Sequence, residues 1–161
     1  MDLIDFDYKV KIRYEMEIEN EEEPPWFEKV HETEFILGRD SIPEEVERVL
    51  KGKKTGDRVE VVLPPESAFG PHLPYLVKEM ELSLFKEVET LKPGKWHEEV
   101  LNPYGSKLRF KILEISGDKV KVDFNHPGAG KRVKLKIEIL SHRPATPFEI
   151  FSAEMRNCSG G

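Results

Sequence analysis

The sequence predicts an α+β fold, mostly β, in which an antiparallel sheet wraps on a short helix and carries a small inserted β-rich domain. Residues 7–19 alternate apolar and polar side chains, which is typical of a long half-buried strand. Residues 41–52 have the apolar spacing and end signals of a short helix. Residues 82–124 contain several short alternating segments separated by turns, and they interrupt the larger pattern. One small domain inserted into another is the simplest organisation consistent with these observations.

The first predicted strand places its apolar residues on a single face. They are Tyr8, Val10, Ile12, Tyr14, Met16 and Ile18. An acidic run ending at Pro24 and Pro25 follows, and it predicts a solvated turn. Residues 31–38 predict the second strand.

The predicted helix at 41–52 has Ser41 as its N-cap, Pro43 in its first turn and Gly52 at its end. Val46, with Leu50 one turn later, belongs to its apolar face. Strands are predicted at 57–65 and, as the last strand, at 133–141.

Inside the insertion, strands are predicted at 96–101, 108–115 and 119–124, between turns of the types "KPG", "NPYG" and "SGD". Residues 76–124 hold nine basic and nine acidic residues, so the excess negative charge lies elsewhere. We therefore expect one discontinuous domain over 1–75 and 125–143, and an inserted domain over 76–124.

Residues 144–161 form a C-terminal tail in which "TPFE" (146–149) matches a capping box and could open a short helix. The terminal "NCSGG" is expected to be frayed.

Composition limits the function and the setting. A net charge of −6 argues against nucleic acid as the main partner, because phosphate binding requires a basic face. We expect no signal peptide and no membrane segment, because the start lacks the required pattern and no apolar run approaches ~20 residues. The single cysteine, Cys158, fits a reducing cytoplasm.

The most conspicuous glycine-rich stretch, "NHPGAGKR" (125–132), does not match a phosphate-binding loop. Asn125 stands where the first glycine of such a loop is needed, and Arg132 stands where the hydroxyl is needed. The alternating residues 133–140 that follow predict a strand rather than a helix.

No constellation of polar residues recommends a metal site or a hydrolase. The five histidines are scattered, without the spacing of metal ligands. We therefore expect no metal and no cofactor.

One chemistry requires no polar triad. Rotation about an Xaa-Pro bond crosses a barrier of ~20 kcal/mol that amide resonance sets. The twisted transition state has lost this conjugation, so an apolar groove that excludes water can favour it over the planar ground state.

The order of segments resembles the FKBP-type prolyl isomerases. "FILG", "IPEEVERVLKG", "GDRVEVVLPPESAFG", an insertion and "NHPGAGKRVKLKIEI" follow one another over about residues 3 to 143. The chain is most similar to the SlyD/SlpA-like branch, in which an insert-in-flap (IF) domain that binds unfolded chains replaces the flap. The resemblance implies an FKBP-like sheet on a short helix with this domain in the flap.

Carried onto this sequence, the resemblance implies a prolyl groove. Its floor is Val46, and a backbone N–H near Ile42 holds the substrate carbonyl. If Pro43 occupies that place instead, the donor is lost, because proline has no N–H. The aromatic walls of the family correspond to Phe69 and Leu135.

Several positions depart from the pattern of the family. Phe69 replaces a tyrosine, Thr33 replaces a bulky apolar residue, and "PPW" replaces an aspartate expected near 24–26. We expect Trp26 and Phe27 to supply an aromatic wall instead, and isomerisation to be weaker or differently tuned.

The same resemblance makes "NHPGAGKR" a tight turn over one wall of the groove, with Lys131 and Arg132 directed to solvent. Further substrate contacts are expected from Ala68, His126 and Ala129.

The candidate client-binding residues of the IF domain are apolar or aromatic. They are Met80, Leu82, Leu84, Phe85, Trp96 and Tyr104. Alternatively they form the core of that domain, since so small a module needs most of its apolar residues for its own packing.

The leading hypothesis is a cytoplasmic, monomeric FKBP-type prolyl isomerase and folding chaperone whose partners are unfolded or nascent chains with Xaa-Pro bonds. One alternative is a holdase that has lost catalysis. The other is a metallochaperone, since some SlyD relatives carry a histidine-rich nickel-binding tail; residues 143–161 contain no histidine.

Overall fold

The described residues form eight strands and two α-helices, distributed over two compact units. The structure, a computed structural model, describes residues 2–100 and 107–159. Unit 1 comprises Met1–Gly70 and Lys131–Gly161, and unit 2 comprises Pro71–Gly130. The elements in chain order are β1 (Tyr8–Ile18), β2 (Val30–Ile36), α1 (Glu44–Leu50), β3 (Arg58–Leu63), β4 (Val77–Glu81), β5 (Trp96–Val100), β6 (Lys107–Ser116), β7 (Lys119–Asp123), β8 (Val133–Pro144) and α2 (Pro147–Ser159).

Each unit contains one antiparallel four-stranded sheet. The strand order is β2-β1-β8-β3 in unit 1 and β4-β7-β6-β5 in unit 2. The predicted α+β, mostly β fold class is therefore confirmed. Within the described residues, neither helix has the length and apolar character that crossing a lipid bilayer requires.

The core of unit 1 lies between one face of its sheet and α1. On β1 the predicted alternation holds, with Val10, Ile12 and Ile18 buried. On α1, Val46 and Leu50 are buried against the same core. The helix therefore lies across the sheet because its apolar stripe and the apolar face of β1 shield each other from water.

The start of α1 differs from the prediction. The N-cap is Pro43 rather than Ser41, and no side chain caps this end. The carbonyl oxygen of Pro43 accepts the first helical hydrogen bonds, from the N–H groups of Val46 and Glu47 at 3.0 and 3.1 Å. The prediction of Ser41 as the N-cap was wrong. The ring of Pro43 fixes its φ near the helical value, so the helix begins directly after Pro43, two residues later than predicted.

The other end of α1 is as expected. Gly52, two residues beyond Leu50, has φ +83°, the left-handed conformation that favours glycine after a helix.

The capping box predicted at "TPFE" opens α2. The Glu149 N–H donates to Thr146 Oγ1 at 3.1 Å, and the Thr146 N–H donates to Glu149 Oε1 at 3.0 Å. The helix is longer than a short tail helix and runs to Ser159, so Asn157 to Ser159 are helical rather than frayed. Ala153 on this helix is fully buried.

Unit 2 has its own apolar core. The buried residues are Phe85, Leu91, Phe110, Ile112, Val120 and Val122. Phe110 lies edge-on to Phe85 and to Phe124, with ring centroids 5.6 and 5.7 Å apart. Such geometry is favoured by the ring quadrupoles, so the aromatic cluster helps to fix the small core.

A hydrogen-bonded cluster, in which Asp123 and Asn125 are buried, joins the two chain segments at the ends of unit 2. We define the neck as His72, Leu73, Asp123 and Asn125. The Asn125 side chain accepts a hydrogen bond from the Leu73 N–H at 2.9 Å and donates to the Leu73 carbonyl at 3.1 Å and to Asp123 at 2.7 Å. Unit 2 includes residues 71–75 and 125–130, which lay outside the inserted domain expected at 76–124.

The neck favours an ionised Asp123. Burial of Asp123 opposes ionisation, but hydrogen bonds from Asn125 and His72 outweigh it and lower the pKa of the carboxyl. His72 Nε2 lies 2.7 Å from Asp123 Oδ2. Gly130 is the last residue of unit 2 and has φ +74°, a conformation that favours glycine. A Cβ at this position would lie 3.1 Å from the Cβ of His72, so a larger residue would crowd the neck.

Candidate functional site

An apolar cavity of about 310 Å³ opens in unit 1 between β1, β8 and α1. Seven of its lining residues were predicted from the sequence to bind or act on a substrate. They are Thr33, Ile42, Pro43, Val46, Ala68, Phe69 and Leu135. The fold therefore brings together residues that are more than 100 positions apart in the chain.

The floor of the cavity comes from α1 and from the residues before it. Val46 is 5% exposed and joins the floor to the core beneath. Pro43 lines the cavity without an N–H. Ile42 precedes it, and within residues 2–100 and 107–159 its N–H forms no hydrogen bond to a protein acceptor. Ile42 and Pro43 were the two candidates for the backbone donor to the substrate carbonyl, and only Ile42 has an N–H for this role.

One wall is a turn that follows β3. Residues Pro65–Ser67 form a single 3-10 turn, and the N–H groups of Ala68 and Gly70 donate to the Pro65 carbonyl at 3.1 and 2.7 Å. This turn presents Phe69 to the cavity. The Phe27 ring lies edge-on to it, with centroids 6.4 Å apart, so Phe27 supports the wall without lining the cavity.

The opposite wall comes from the sheet. Leu135 on β8 is 7% exposed and pairs across the sheet with Met16 on β1. Thr33 on β2 is exposed and pairs with Ile12. The short threonine side chain leaves this side of the cavity more open than a bulky residue would.

Five further lining residues outside the predicted set are apolar or aromatic. They are Ile12, Tyr14, Met16, Leu63 and Val133. Ile12, Tyr14 and Met16 belong to the alternating apolar face of β1. The strand pattern predicted this face as core, but it did not indicate that part of the face also lines a cavity.

Polar groups are few around the cavity. Tyr14 stacks on His31 with ring centroids 5.3 Å apart, and burial raises the pKa of its phenol, so the hydroxyl is protonated at neutral pH. Ser67 adds a hydroxyl. Nothing in this lining is suited to nucleophilic attack, and the arrangement is suited to binding an apolar group and excluding water.

A larger cavity of about 600 Å³ in the same unit has a different character. Arg13, Glu60 and Lys136 are among its lining residues. Its charged lining is not suited to a prolyl ring. Across the described part of the chain, no three His, Cys, Asp or Glu side chains are grouped so that they could hold a metal ion.

The remaining predicted residues lie outside this cavity. Trp26 precedes Phe27 in the loop between β1 and β2 and does not line the cavity. His126 and Ala129 belong to unit 2, where the Ala129 N–H donates to the His126 carbonyl at 2.9 Å. Lys131 and Arg132 are exposed and form ion pairs with Glu21 and Glu19.

The predicted client-binding residues of unit 2 differ in exposure. Phe85 is 4% exposed and belongs to the core, so it offers little surface to a client. Met80, Leu82 and Leu84 are partly buried against that core. Trp96 lies beneath the ammonium group of Lys111, which is 5.9 Å from the ring centroid. Tyr104 lies outside the described residues.

Comparison with known proteins gives a consistent result. Residues 2–113 match the family described as FKBP-type peptidyl-prolyl cis-trans isomerase. The chain is 30% identical over 127 residues to the SlyD isomerase of Vibrio cholerae, an alignment that covers 79% of this chain and 62% of the relative. It is 36% identical over 115 residues to the FKBP-type 16 kDa isomerase of Escherichia coli, with 69% and 74% covered.

A third relative has the same sequence identity as the Vibrio cholerae protein. The chain is 30% identical over 111 residues to the short-type isomerase of Methanocaldococcus jannaschii, which covers 69% of this chain and 68% of the relative. The predicted resemblance to SlyD-like FKBP proteins is thus confirmed. This chain belongs to the FKBP-type peptidyl-prolyl cis-trans isomerase family.

Proposed function

We propose that this chain catalyses cis-trans isomerisation of Xaa-Pro bonds in unfolded or partly folded polypeptides, and that the cavity of unit 1 is the prolyl groove. The observation that carries the proposal is the convergence of Ile42, Val46, Phe69 and Leu135 on one apolar cavity. A cavity of about 310 Å³ accommodates a proline ring and parts of its neighbours.

The groove acts by favouring the twisted amide. Amide resonance is lost in the transition state, and the carbonyl then no longer requires the solvation that the planar form prefers. Apolar contacts from Val46, Phe69 and Leu135 hold the prolyl ring while excluding water. The Ile42 N–H, which has no acceptor within the described residues, is available to hold the substrate carbonyl.

Unit 2 is proposed to hold the client chain. Its core is separate from that of unit 1, and its larger exposed apolar side chains are Tyr75, Val88 and Leu113. We add these three to the predicted contacts Met80, Leu82 and Leu84. A client bound there would raise the effective concentration of its prolines for the groove.

A holdase with little catalysis is the second candidate. Phe69 lacks a hydroxyl and Thr33 leaves the groove open, both of which favour binding over turnover. The cytoplasmic setting rests on the single cysteine and stays a proposal, as does the monomeric state, which sedimentation velocity measures.

Two-dimensional exchange NMR on an Ala-Pro peptide tests the main proposal. Micromolar protein should raise the cis-trans exchange rate without added metal or cofactor. An unchanged rate with folded protein contradicts isomerisation. Suppressed aggregation of an unfolded client in the same sample would then favour the holdase.

A further inference from the structure

A hydrogen bond links the floor of the cavity to one of its walls. Ser67 Oγ donates to Glu45 Oε1 at 2.9 Å. Glu45 immediately precedes the floor residue Val46 in α1, and Ser67 immediately precedes Ala68 and Phe69 in the wall. The pair therefore connects two segments that contribute directly to the groove.

Three backbone hydrogen bonds of the wall stay within the turn itself. The N–H groups of Ser67, Ala68 and Gly70 donate to the carbonyls of Pro64 and Pro65, all within the same turn. These bonds determine the shape of the turn. The bond from Ser67 to Glu45 instead relates the turn to the helix.

The position of the Glu45 carboxylate lowers the stability of the fold. Its second oxygen, Oε2, is buried and has no hydrogen-bond partner among the described residues. A buried acceptor left without a partner destabilises the fold relative to one that is solvated. Arrangements that lower stability in this way are concentrated at functional sites.

We propose that Ser67 and Glu45 are positioning residues for the isomerisation, which fix the separation between the Phe69 wall and the Val46 floor. The inference rests on the proposed function. Correct spacing matters most for the transition state, since small displacements of contacting groups lower turnover more than binding. Loss of the bond should therefore lower kcat more than it raises KM.

The first experiment measures kcat and KM by exchange NMR for Ser67→Ala, Ser67→Thr and Glu45→Gln. Ser67→Ala should lower kcat by ~5-fold or more with KM little changed, and Ser67→Thr, which keeps the hydroxyl, should restore it. Glu45→Gln replaces the carboxylate acceptor with an amide oxygen, which accepts a weaker hydrogen bond, so kcat should fall, but by less than in Ser67→Ala. Ser141→Ala, at an exposed position of β8, is the control.

A second measurement does not depend on turnover. Amide hydrogen exchange of Ala68 and Gly70 should accelerate in Ser67→Ala and be restored in Ser67→Thr. The amides of Val46 and Glu47, bonded to Pro43, should remain protected. A wall released from α1 loosens the turn and produces this pattern, whereas a general loss of stability accelerates exchange at all four amides.

The results separate the two proposals. If Ser67→Ala changes neither kcat nor the exchange of Ala68 and Gly70, the positioning role is wrong. If the wild-type protein does not isomerise the peptide, the proposed function fails. Selective acceleration at Ala68 and Gly70 would then still support the pair as the link between wall and floor, and its absence would overturn that too.

Discussion

Phe69 is the residue whose ring most directly defines the proposed groove. It lines the cavity and is supported edge-on by Phe27, and it lacks the hydroxyl that a tyrosine would carry. The apolar wall is retained, and a hydrogen-bonding group is lost. Substitutions at position 69 can therefore measure separately what the aromatic ring and the hydroxyl contribute to activity.

Replacing Phe69 with alanine should open the wall and let water enter. We expect kcat/KM to fall by ~10-fold or more. We also expect a loss of stability below the ~3–5 kcal/mol typical of a fully buried ring, because Phe69 is partly exposed. Exchange NMR and chemical denaturation measure the two effects. Phe148→Ala, which removes a 76% exposed ring from α2, should change neither by much.

Phe69→Tyr provides the complementary change. The ring is kept, so the stability should stay within ~1 kcal/mol of wild type, and activity should be equal to or higher than that of wild type. If Phe69→Ala, Phe69→Tyr and wild type all have the same kcat/KM, Phe69 does not belong to the site.

At single positions, the sequence could identify which residue types would line a prolyl groove, but not whether their side chains meet in one cavity. Val46, Phe69 and Leu135 were assigned from a resemblance, and their meeting in one cavity required the sheet register. The choice between Ile42 and Pro43 could not be made from the sequence. It depends on where α1 begins, and boundaries without a side-chain cap are poorly marked.

Among the elements, α2 shows how local signals can anchor a helix to a sheet. Glu149 closes the capping box with Thr146 and also bonds to Lys9 and Arg143. The hydrogen bond from Arg143, followed by those from Lys9 and the Thr146 N–H, holds the pKa of Glu149 far below its ordinary value. One carboxylate thus both starts the helix and fixes it to β1 and β8.

Docking of α2 should weaken in acid because of this carboxylate. A depressed pKa in the folded state stabilises fully above the unfolded value, near ~4.3, and the contribution is lost as the pH falls toward the folded value. We expect acid titration followed by NMR of Ala153 to show release of the helix. Glu149→Gln should remove the pH dependence, whereas Glu154→Gln, at a half-exposed pair with Arg39, should retain it.

Thr146→Ala tests the other half of the box. Loss of the hydroxyl acceptor at an N-cap costs ~1 kcal/mol, which lowers the Tm of a domain of about 100 residues, such as unit 1, by ~4 °C. A calorimetric Tm that does not change would show that the side chain does not contribute to the start of α2.

Strands with clear alternation were predicted well, and the exceptions have physical causes. β4 (Val77–Glu81) was not predicted, since it is a short edge strand in which only Val77 and Met80 are apolar. β8 runs three residues beyond the predicted end because β1 begins early enough to pair Tyr8 with Pro144. Tertiary pairing, rather than local sequence, sets both of these limits.

At the scale of the whole molecule, two separate cores underlie the proposed division of labour. The buried residues of each core come from one unit only, and the neck closes unit 2 with its own hydrogen bonds. The sequence indicated this organisation through charge balance and turns. It could not place the boundaries, because the neck depends on pairing between segments about fifty residues apart.

Replacing Pro71–Gly130 with a short Gly-rich loop should leave unit 1 folded, because its core loses no residue. Isomerisation of a short peptide should stay within about an order of magnitude of wild type, whereas catalysis of a proline-limited refolding reaction should fall sharply. A truncated chain that fails to fold, or that refolds proteins as well as the full chain, would contradict the division of labour.

The neck also bears on the order in which the chain folds. Closing a loop costs about 0.6 kcal/mol for each doubling of its length, so an unfolded connection of about 69 residues between Leu63 and Val133 would penalise the pairing of β8 with β3. Once unit 2 has formed, the bonds between Leu73 and Asn125 shorten that connection to about 18 residues. The cost of loop closure then falls by ~1.2 kcal/mol, which corresponds to up to ~7-fold in rate. Asn125→Ala should therefore slow the refolding of unit 1 in stopped-flow experiments.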